Sequence, residues 1–170
     1  NLGAHYTSEK NILKLIKPLF LDELWTDRTK AKGDKNKLRT LHDKLSKLRF
    51  IDPACGCGNF LIVAYLELRL LELDILKELY PVGQQQLLDI ESILKLSVDQ
   101  FYGIEYEEFP AQIAQVAMWL IDHQMNMKVS EAFGLYYVRL PLTKAATVVH
   151  GNALRLKWEE VLNLERDAEK

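Results

Sequence analysis

The sequence predicts an α/β domain: a parallel sheet with helices on both faces. Three observations lead there. An apolar strand at 48–52 runs straight into a glycine-bearing turn and then a long helix. Two further short strands, at 100–105 and 146–150, alternate with helical patterns, as right-handed βαβ crossovers require. The third of these strands, Ala146-Thr-Val-Val-His150, is β-branched at its centre, a composition that suits a pleated surface.

Taken in order, residues 1–6 read as an extended lead-in, and Thr7 or Ser8 is placed to cap a helix. Ile12, Leu13, Leu15, Ile16, Leu19 and Phe20 then recur at helical spacing, with Pro18 predicting a kink or an early stop. From Arg28 to Lys47 the chain is polar and basic, with Gly33-Asp34 as a loop signal. Leu38, Leu41, Leu45 and Leu48 mark one face of a second helix there. Its cations, through Arg49, are either a solvated face or a patch for DNA phosphates.

After the first strand, the leucine-rich helix at 59–80 ends at Pro81-Val-Gly83. Residues 84–96 predict another short amphipathic helix, inserted before the second strand. A helix at 107–127 follows, with Pro110 in its first turn, where proline is tolerated. Beyond Gly134, residues 135–140 alternate and read as a strand or an irregular extension. The third strand ends on Gly151-Asn152-Ala153-Leu154, and 158–164 is a last helix or turn.

Composition narrows the class. With 170 residues, 48% hydrophobic and 27% charged, the chain is one globular domain large enough for a real core. A net charge of -2 gives the whole molecule no cationic bias toward nucleic acid, although a local patch would suffice. No apolar run reaches the roughly 18 residues of a membrane span, and no signal peptide is visible, so no membrane partner is expected. Cys55 and Cys57 form a lone C-x-C, half of a structural zinc site, and no metal is expected. They read as packing thiols in a reducing cytosol. The chain starts at Asn1, its three methionines lie between Met118 and Met127, and it stops in a charged stretch, so it reads as a piece of a longer protein.

The chemistry sits where strands end. Asp52 with its glycine turn, Glu105, and Asn152 behind Gly151 each close one strand, and an open parallel sheet binds ligands at those carboxyl ends. A carboxylate at the second strand end can accept ribose hydroxyls, and an amide at the third can face an adenine edge. The turn holds G-x-G but Leu61 stands where a dinucleotide fold has its third glycine, and G-K-[ST] is absent. A nucleoside ligand fits better than a nucleotide. Each residue also has a plain reading: Asp52 capping a turn, Glu105 a solvated strand end, Asn152 a turn residue.

Asp52-Pro-Ala-Cys-Gly-Cys-Gly-Asn-Phe60 resembles the D-P-[AP]-C-G-[ST]-G-x-[FL] signature of S-adenosylmethionine-dependent DNA adenine-N6 methyltransferases. The resemblance is to the branch that includes Type I and Type IIG restriction-modification enzymes. Gly3-Ala-His-Tyr-Thr-Ser8 looks like the family's N-terminal motif, Tyr102-Gly-Ile-Glu-Tyr106 like its ribose-binding strand end, and His150-Gly-Asn-Ala-Leu154 like its adenine-binding G-[DN]-[AS]-L. Cys57 stands where Ser or Thr is commoner, and Asn152 where Asp is commoner. The family's [DNS]-P-P-[YFW] motif, which holds the target amine and stacks on the flipped base, is missing, since no two of the five prolines are adjacent.

The resemblance implies a truncated Rossmann-like methyltransferase fold. It comprises an N-terminal helical segment at 1–47 and the cofactor-binding half of the sheet at 48–170, without catalytic motif or target-recognition domain. It implies S-adenosylmethionine as cofactor, with Tyr6 and Thr7 at its methionine end. Asp52, Ala54, Gly56 and Gly58 would take the methionine and its amino group, with Phe60 beside them. Glu105 would take the ribose hydroxyls, Tyr106 would lie beside the adenine ring, and Asn152 and the Ala153 backbone would take the adenine edge. No catalytic residue is expected in this stretch. The expected parent is a bacterial, cytoplasmic enzyme acting on double-stranded DNA, and the fragment alone is expected to be inactive. Its open sheet edge and apolar face predict self-association. Two alternatives stay open at this point: a non-catalytic cofactor- or nucleoside-binding module, and a methyltransferase for RNA or protein.

Overall fold

The protein is described by a computed structural model covering residues 7–81, 90–134 and 145–162. The chain opens with a helical rod. Helix α1 (Glu9–Ile16) passes through a π-helical turn (Lys17–Leu21) into α2 (Asp22–Lys30). Proline at 18 was expected to kink or stop the helix. The α-helix does end at Ile16, and the wider π-helical turn absorbs the missing N–H and carries the chain into α2. Helix α3 (Lys35–Lys47) starts where the Asp34 carboxylate accepts the N–H groups of Asn36 (3.0 Å) and Lys37 (3.1 Å). Its Leu38, Leu41 and Leu45 are buried, as their spacing predicts.

Three parallel strands follow: β1 (Phe50–Asp52), β2 (Phe101–Glu105) and β3 (Thr147–His150), in the order β1-β2-β3. Asp52 lies beside Gly103, and Glu105 beside His150. Helix α4 (Asn59–Leu79) connects β1 toward β2, and α6 (Glu108–Phe133) connects β2 to β3. They pack on one face of the sheet, where the Tyr65 ring meets Phe101 edge-on at 5.2 Å. On the other face Tyr102 and Ile104 are covered by Val161 of the one-turn helix α7 (Trp158–Val161). Helices therefore cover both faces.

Several boundaries move. Of the helix expected at 84–96, residues 84–89 lie outside the described set; the described part is helical over Ile90–Ile93 (α5), then non-helical, and a 3₁₀ turn (Val98–Gln100) follows. The 135–140 segment also lies outside it. Helix α6 runs past the expected end at Met127 to Phe133, where Gly134 closes it at φ 64°. Its outer side leaves Phe109, Val116 and Leu120 exposed.

Helix α4 is buried on most sides, so its polar residues must be paired inside. Arg69, fully buried, donates to the Tyr65 hydroxyl (2.8 Å) and to the Asn126 side-chain oxygen (2.9 Å), with Asp122 3.3 Å away. Tyr65 in turn donates to Asp122 (2.6 Å). One Glu72 oxygen meets His42 Nε2 (2.8 Å) and accepts the N–H groups of Lys95 (2.8 Å) and Leu96 (2.9 Å). Burial alone would raise the Glu72 carboxyl. The His42 hydrogen bond, the Arg69 charge and the Leu96 N–H outweigh it and hold it below the usual carboxylate range. This network ties α3, α4 and α6 to the segment that leads into β2.

Because the folded carboxyl titrates below its unfolded value of 4.5, its stabilisation is present above that pH and is lost as pH falls through the folded pKa. Glu72→Ala should cost about 3–5 kcal/mol in urea denaturation, since it leaves His42 and the Lys95 and Leu96 N–H groups without their acceptor in the interior and removes one of the two carboxylates beside Arg69. Glu72→Gln should flatten the acid limb of the stability profile. A profile as steep as the unsubstituted protein's would show that another group carries it.

Candidate cofactor site

The end of β2 gathers the other two strand ends. The Cys55 N–H donates to the Ile104 carbonyl (3.1 Å), which folds the glycine turn back over β2. The Gly56 N–H donates to one Glu105 carboxylate oxygen (2.8 Å), and the Glu107 N–H to the other (3.0 Å). The Gly151 N–H donates to the Glu105 carbonyl (2.8 Å). One residue thus fastens the turn after β1 and the turn after β3. Asp52 feels the Glu105 charge, Asn152 follows the Gly151 that is bonded to Glu105, and all three residues are half-buried.

The turn has its own logic. The Asp52 carboxylate accepts the Ala54 N–H (3.0 Å), so the plain turn-capping reading is correct as far as it goes. Gly56 (φ 54°) and Gly58 (φ 86°) take left-handed conformations that other residues avoid. A Cβ on Gly58 would stand 3.1 Å from the Ala114 Cβ, so this glycine also lets α6 approach the turn. A Cβ on Gly56 would meet nothing within 4 Å. No side chain caps α4, which begins at this turn.

Burial pushes the Asp52 carboxyl above its usual value, with the Ala54 N–H opposing and the Glu105 charge adding to the rise. Burial also pushes the Cys55 thiol up to about 12, with Asp52 and Glu105 contributing, which leaves it protonated and inert at neutral pH. Among the described residues no three His, Cys, Asp or Glu side chains form a cluster that could hold a metal ion.

Asn152 uses its side-chain oxygen to accept the Leu154 N–H (2.9 Å), an Asx turn like that of Asp52. Trp158 Nε1 donates to the Ala153 carbonyl (2.8 Å) and braces the loop. Tyr106 is 68% exposed, Ala54 is exposed, and Phe60 is half-buried at the start of α4. Thr7 is half-buried immediately before α1. Tyr6 lies outside the described residues. The structure therefore brings together the predicted residues of the three strand ends. Gly103 was missed: its Cβ would lie 2.7 Å from Cys55 Sγ. An isolated glycine inside the Tyr-Gly-Ile-Glu strand is the signal that marks such a close approach.

The model of the family described as MmeI, DNA-methyltransferase domain, matches residues 28–170. This chain belongs to that family. DNA methyltransferase A of Bacillus subtilis (strain 168) is 43% identical over 161 residues, covering 94% of this chain and 18% of that protein. A putative type II restriction enzyme and methyltransferase of Methanocaldococcus jannaschii is 33% identical over 100 residues, covering 59% of this chain and 8% of that one. Among solved structures, the Type IIL restriction-modification enzyme MmeI in complex with DNA is similar with a TM-score of 0.90 and 61% identity. That match covers 98% of this chain and 22% of the solved one. The chain thus spans about a fifth of the Bacillus and MmeI polypeptides. The fold expected of a Rossmann-like methyltransferase is the fold of this relative.

Gly103→Ala should destabilise the domain by about 1–3 kcal/mol through overpacking against Cys55. In a Cys55→Ala background that cost should shrink. A double-mutant cycle with no coupling would show that the two residues do not share the space the structure assigns them.

Proposed function

We propose that this chain is the cofactor-holding part of a restriction-modification DNA methyltransferase, and that it binds S-adenosylmethionine at the ends of β1, β2 and β3. The observation that carries the reading is the Glu105 carboxylate. Each of its oxygens accepts one backbone N–H and keeps a lone pair, so the pre-set carboxylate can also accept two ribose hydroxyls. The group fits the rest of the corner. Gly56 leaves open space above the turn, and Asp52 beside Glu105 makes the pocket anionic, suited to a ligand with an ammonium and a sulfonium.

Within this reading Gly56, Gly58 and Ala54 let the backbone lie against the methionine portion, with Phe60 at the helix start and Tyr6 and Thr7 closing from the N-terminal side. Asp52 attracts the amino group. Tyr106 presents its ring to the adenine, and Asn152, whose side-chain oxygen takes the Leu154 N–H and whose Nδ2 is a donor, faces the adenine edge together with the Ala153 backbone. The cofactor, when bound, supplies an activated methyl group. In the intact protein the acceptor is the N6 amine of an adenine flipped out of double-stranded DNA. No Asn/Asp-Pro-Pro-aromatic occurs in the 170 residues, so this stretch orients the donor and leaves the holding of the target base to residues outside it.

Two measurements test this on the intact protein. Glu105→Ala should weaken S-adenosylmethionine binding in calorimetry by roughly a hundredfold or more, since hydrogen bonds to a charged group contribute about 1.5–3 kcal/mol each. Unchanged affinity sinks the assignment. Asp52 titrates above its ordinary value when the site is free, and a cationic ligand favours its ionised form. Affinity should therefore fall as pH drops through the Asp52 pKa, and Asp52→Asn should flatten that dependence. For the acceptor, nucleoside analysis of DNA treated with the intact protein should show N6-methyladenine, while the 170-residue piece alone should leave DNA unmodified. Methyl transfer to RNA or protein but not to DNA would overturn the acceptor.

A further inference from the structure

Two cationic surfaces stand out, one on the α2–α3 hairpin and one on α1. The α2–α3 hairpin is the more basic in sequence, but two of its cations are held by carboxylate pairs. Arg28 pairs with Asp74 and Glu78 (both 2.6 Å), and Lys44 pairs with Glu23 (2.9 Å) and Asp27 (3.0 Å). Its position is also unfavourable. Asp74 and Glu78 lie in the last two turns of α4, and the Leu45 and Leu48 carbonyls of α3 hold Gln100, just before β2 begins. The hairpin thus sits where strands start. The cofactor corner sits where they end, about 30 Å away along the 21 residues of α4.

The second surface is on α1. Lys10, Lys14 and Lys17 recur at i, i+4 and i+7 and line one shallow groove with Glu9 and Leu13. All three are exposed, and among the described residues none forms an ion pair. This face is nearer the corner than the hairpin is. Helix α1 starts directly after Thr7 and Ser8, and it packs against α4 around Glu67, ahead of the Asp74 and Glu78 that hold the hairpin. There burial raises the Glu67 carboxyl, with Lys17 opposing and Glu9 adding.

We propose that the Lys10, Lys14 and Lys17 face of α1 is a docking surface for the phosphodiester backbone of duplex DNA. The inference rests on the reading that the intact protein acts on DNA. Charge and spacing argue for it. The three ammonium groups spread over about 10 Å of helix axis. Phosphates on one DNA strand recur about every 3.4 Å along the duplex, so the row can meet roughly three of them. A lysine head is a compact point charge on a flexible stem, which suits sequence-independent phosphate contacts.

The test compares two triple variants of the intact protein, K10Q/K14Q/K17Q and K32Q/K35Q/R39Q, the latter on the hairpin. Binding to a 30-base-pair duplex is measured across a salt series, and S-adenosylmethionine affinity by calorimetry. The α1 variant should reduce the slope of log affinity against log salt by about 2–3, near 0.9 per phosphate lost, and weaken binding at least tenfold at low salt. The hairpin variant should leave the slope within about half a unit of the parent's. Both should hold the cofactor as the parent does, because neither set touches the corner. An α1 variant with an unchanged slope overturns the proposal. So does a loss shared equally by the hairpin variant, or a slope change as large on an RNA duplex. If the parent holds S-adenosylmethionine but binds no duplex, the DNA reading itself fails along with this surface. Loss of cofactor binding in the parent would instead contradict only the cofactor assignment.

Discussion

The Glu105 carboxylate carries the architecture of this site. A free carboxylate at a strand end would be well solvated and variable in rotamer. Here both oxygens accept backbone N–H groups, from Gly56 on one side and Glu107 on the other, while the Glu105 carbonyl takes the Gly151 N–H. Three turns from three strand ends are thereby referred to one residue. Charge-assisted bonds of this kind fix a side chain more firmly than neutral ones do. These bonds hold the carboxylate's rotamer from within the protein, so a ligand received there costs little in ordering this side chain.

That arrangement needs room, which the glycines provide. Gly103 lets Cys55 lie against β2, Gly58 lets α6 approach the turn, and Gly56 adopts its backbone conformation without placing a Cβ in the crevice. The cysteine at 57, where relatives of the resembled family commonly carry Ser or Thr, leaves the turn intact. Its shape is set by backbone bonds, including the Gly58 N–H to the Cys55 carbonyl at 2.8 Å, and not by the side chain at that position.

A second, independent constraint holds the frame. The buried Arg69, Glu72, His42 and Asp122 network lies between helices and satisfies the chain entering β2. A purely apolar interface of similar volume can be as stable. The polar version is more directional, since Glu72 accepts the N–H groups of Lys95 and Leu96 specifically and so sets where the crossover descends onto the sheet.

Local signals determined much of this protein. Hydrophobic periods marked α3, α4 and the strands, and the turn residues of Asp52-Pro-Ala-Cys-Gly-Cys-Gly-Asn-Phe60 marked the corner, because both are properties of neighbours in the chain. Strand ends in a parallel sheet converge by topology, so Asp52, Glu105 and Asn152 were legible as a set. Tertiary structure decided the rest. The Gly56–Glu105 bond joins residues 49 apart, and His42 meets Glu72 across 30. A helical period says which side of α4 is apolar, but not that Arg69 and Glu72 will be buried by neighbours on the remaining sides. Nor does a proline announce whether the helix around it will stop or widen by one residue and continue; the packing of Phe20 against Phe50, at 5.0 Å, lies on the π-helical stretch that continues it. The basic character of both N-terminal surfaces was visible in the sequence. Which part of α4 each of them packs against was decided only by the tertiary structure.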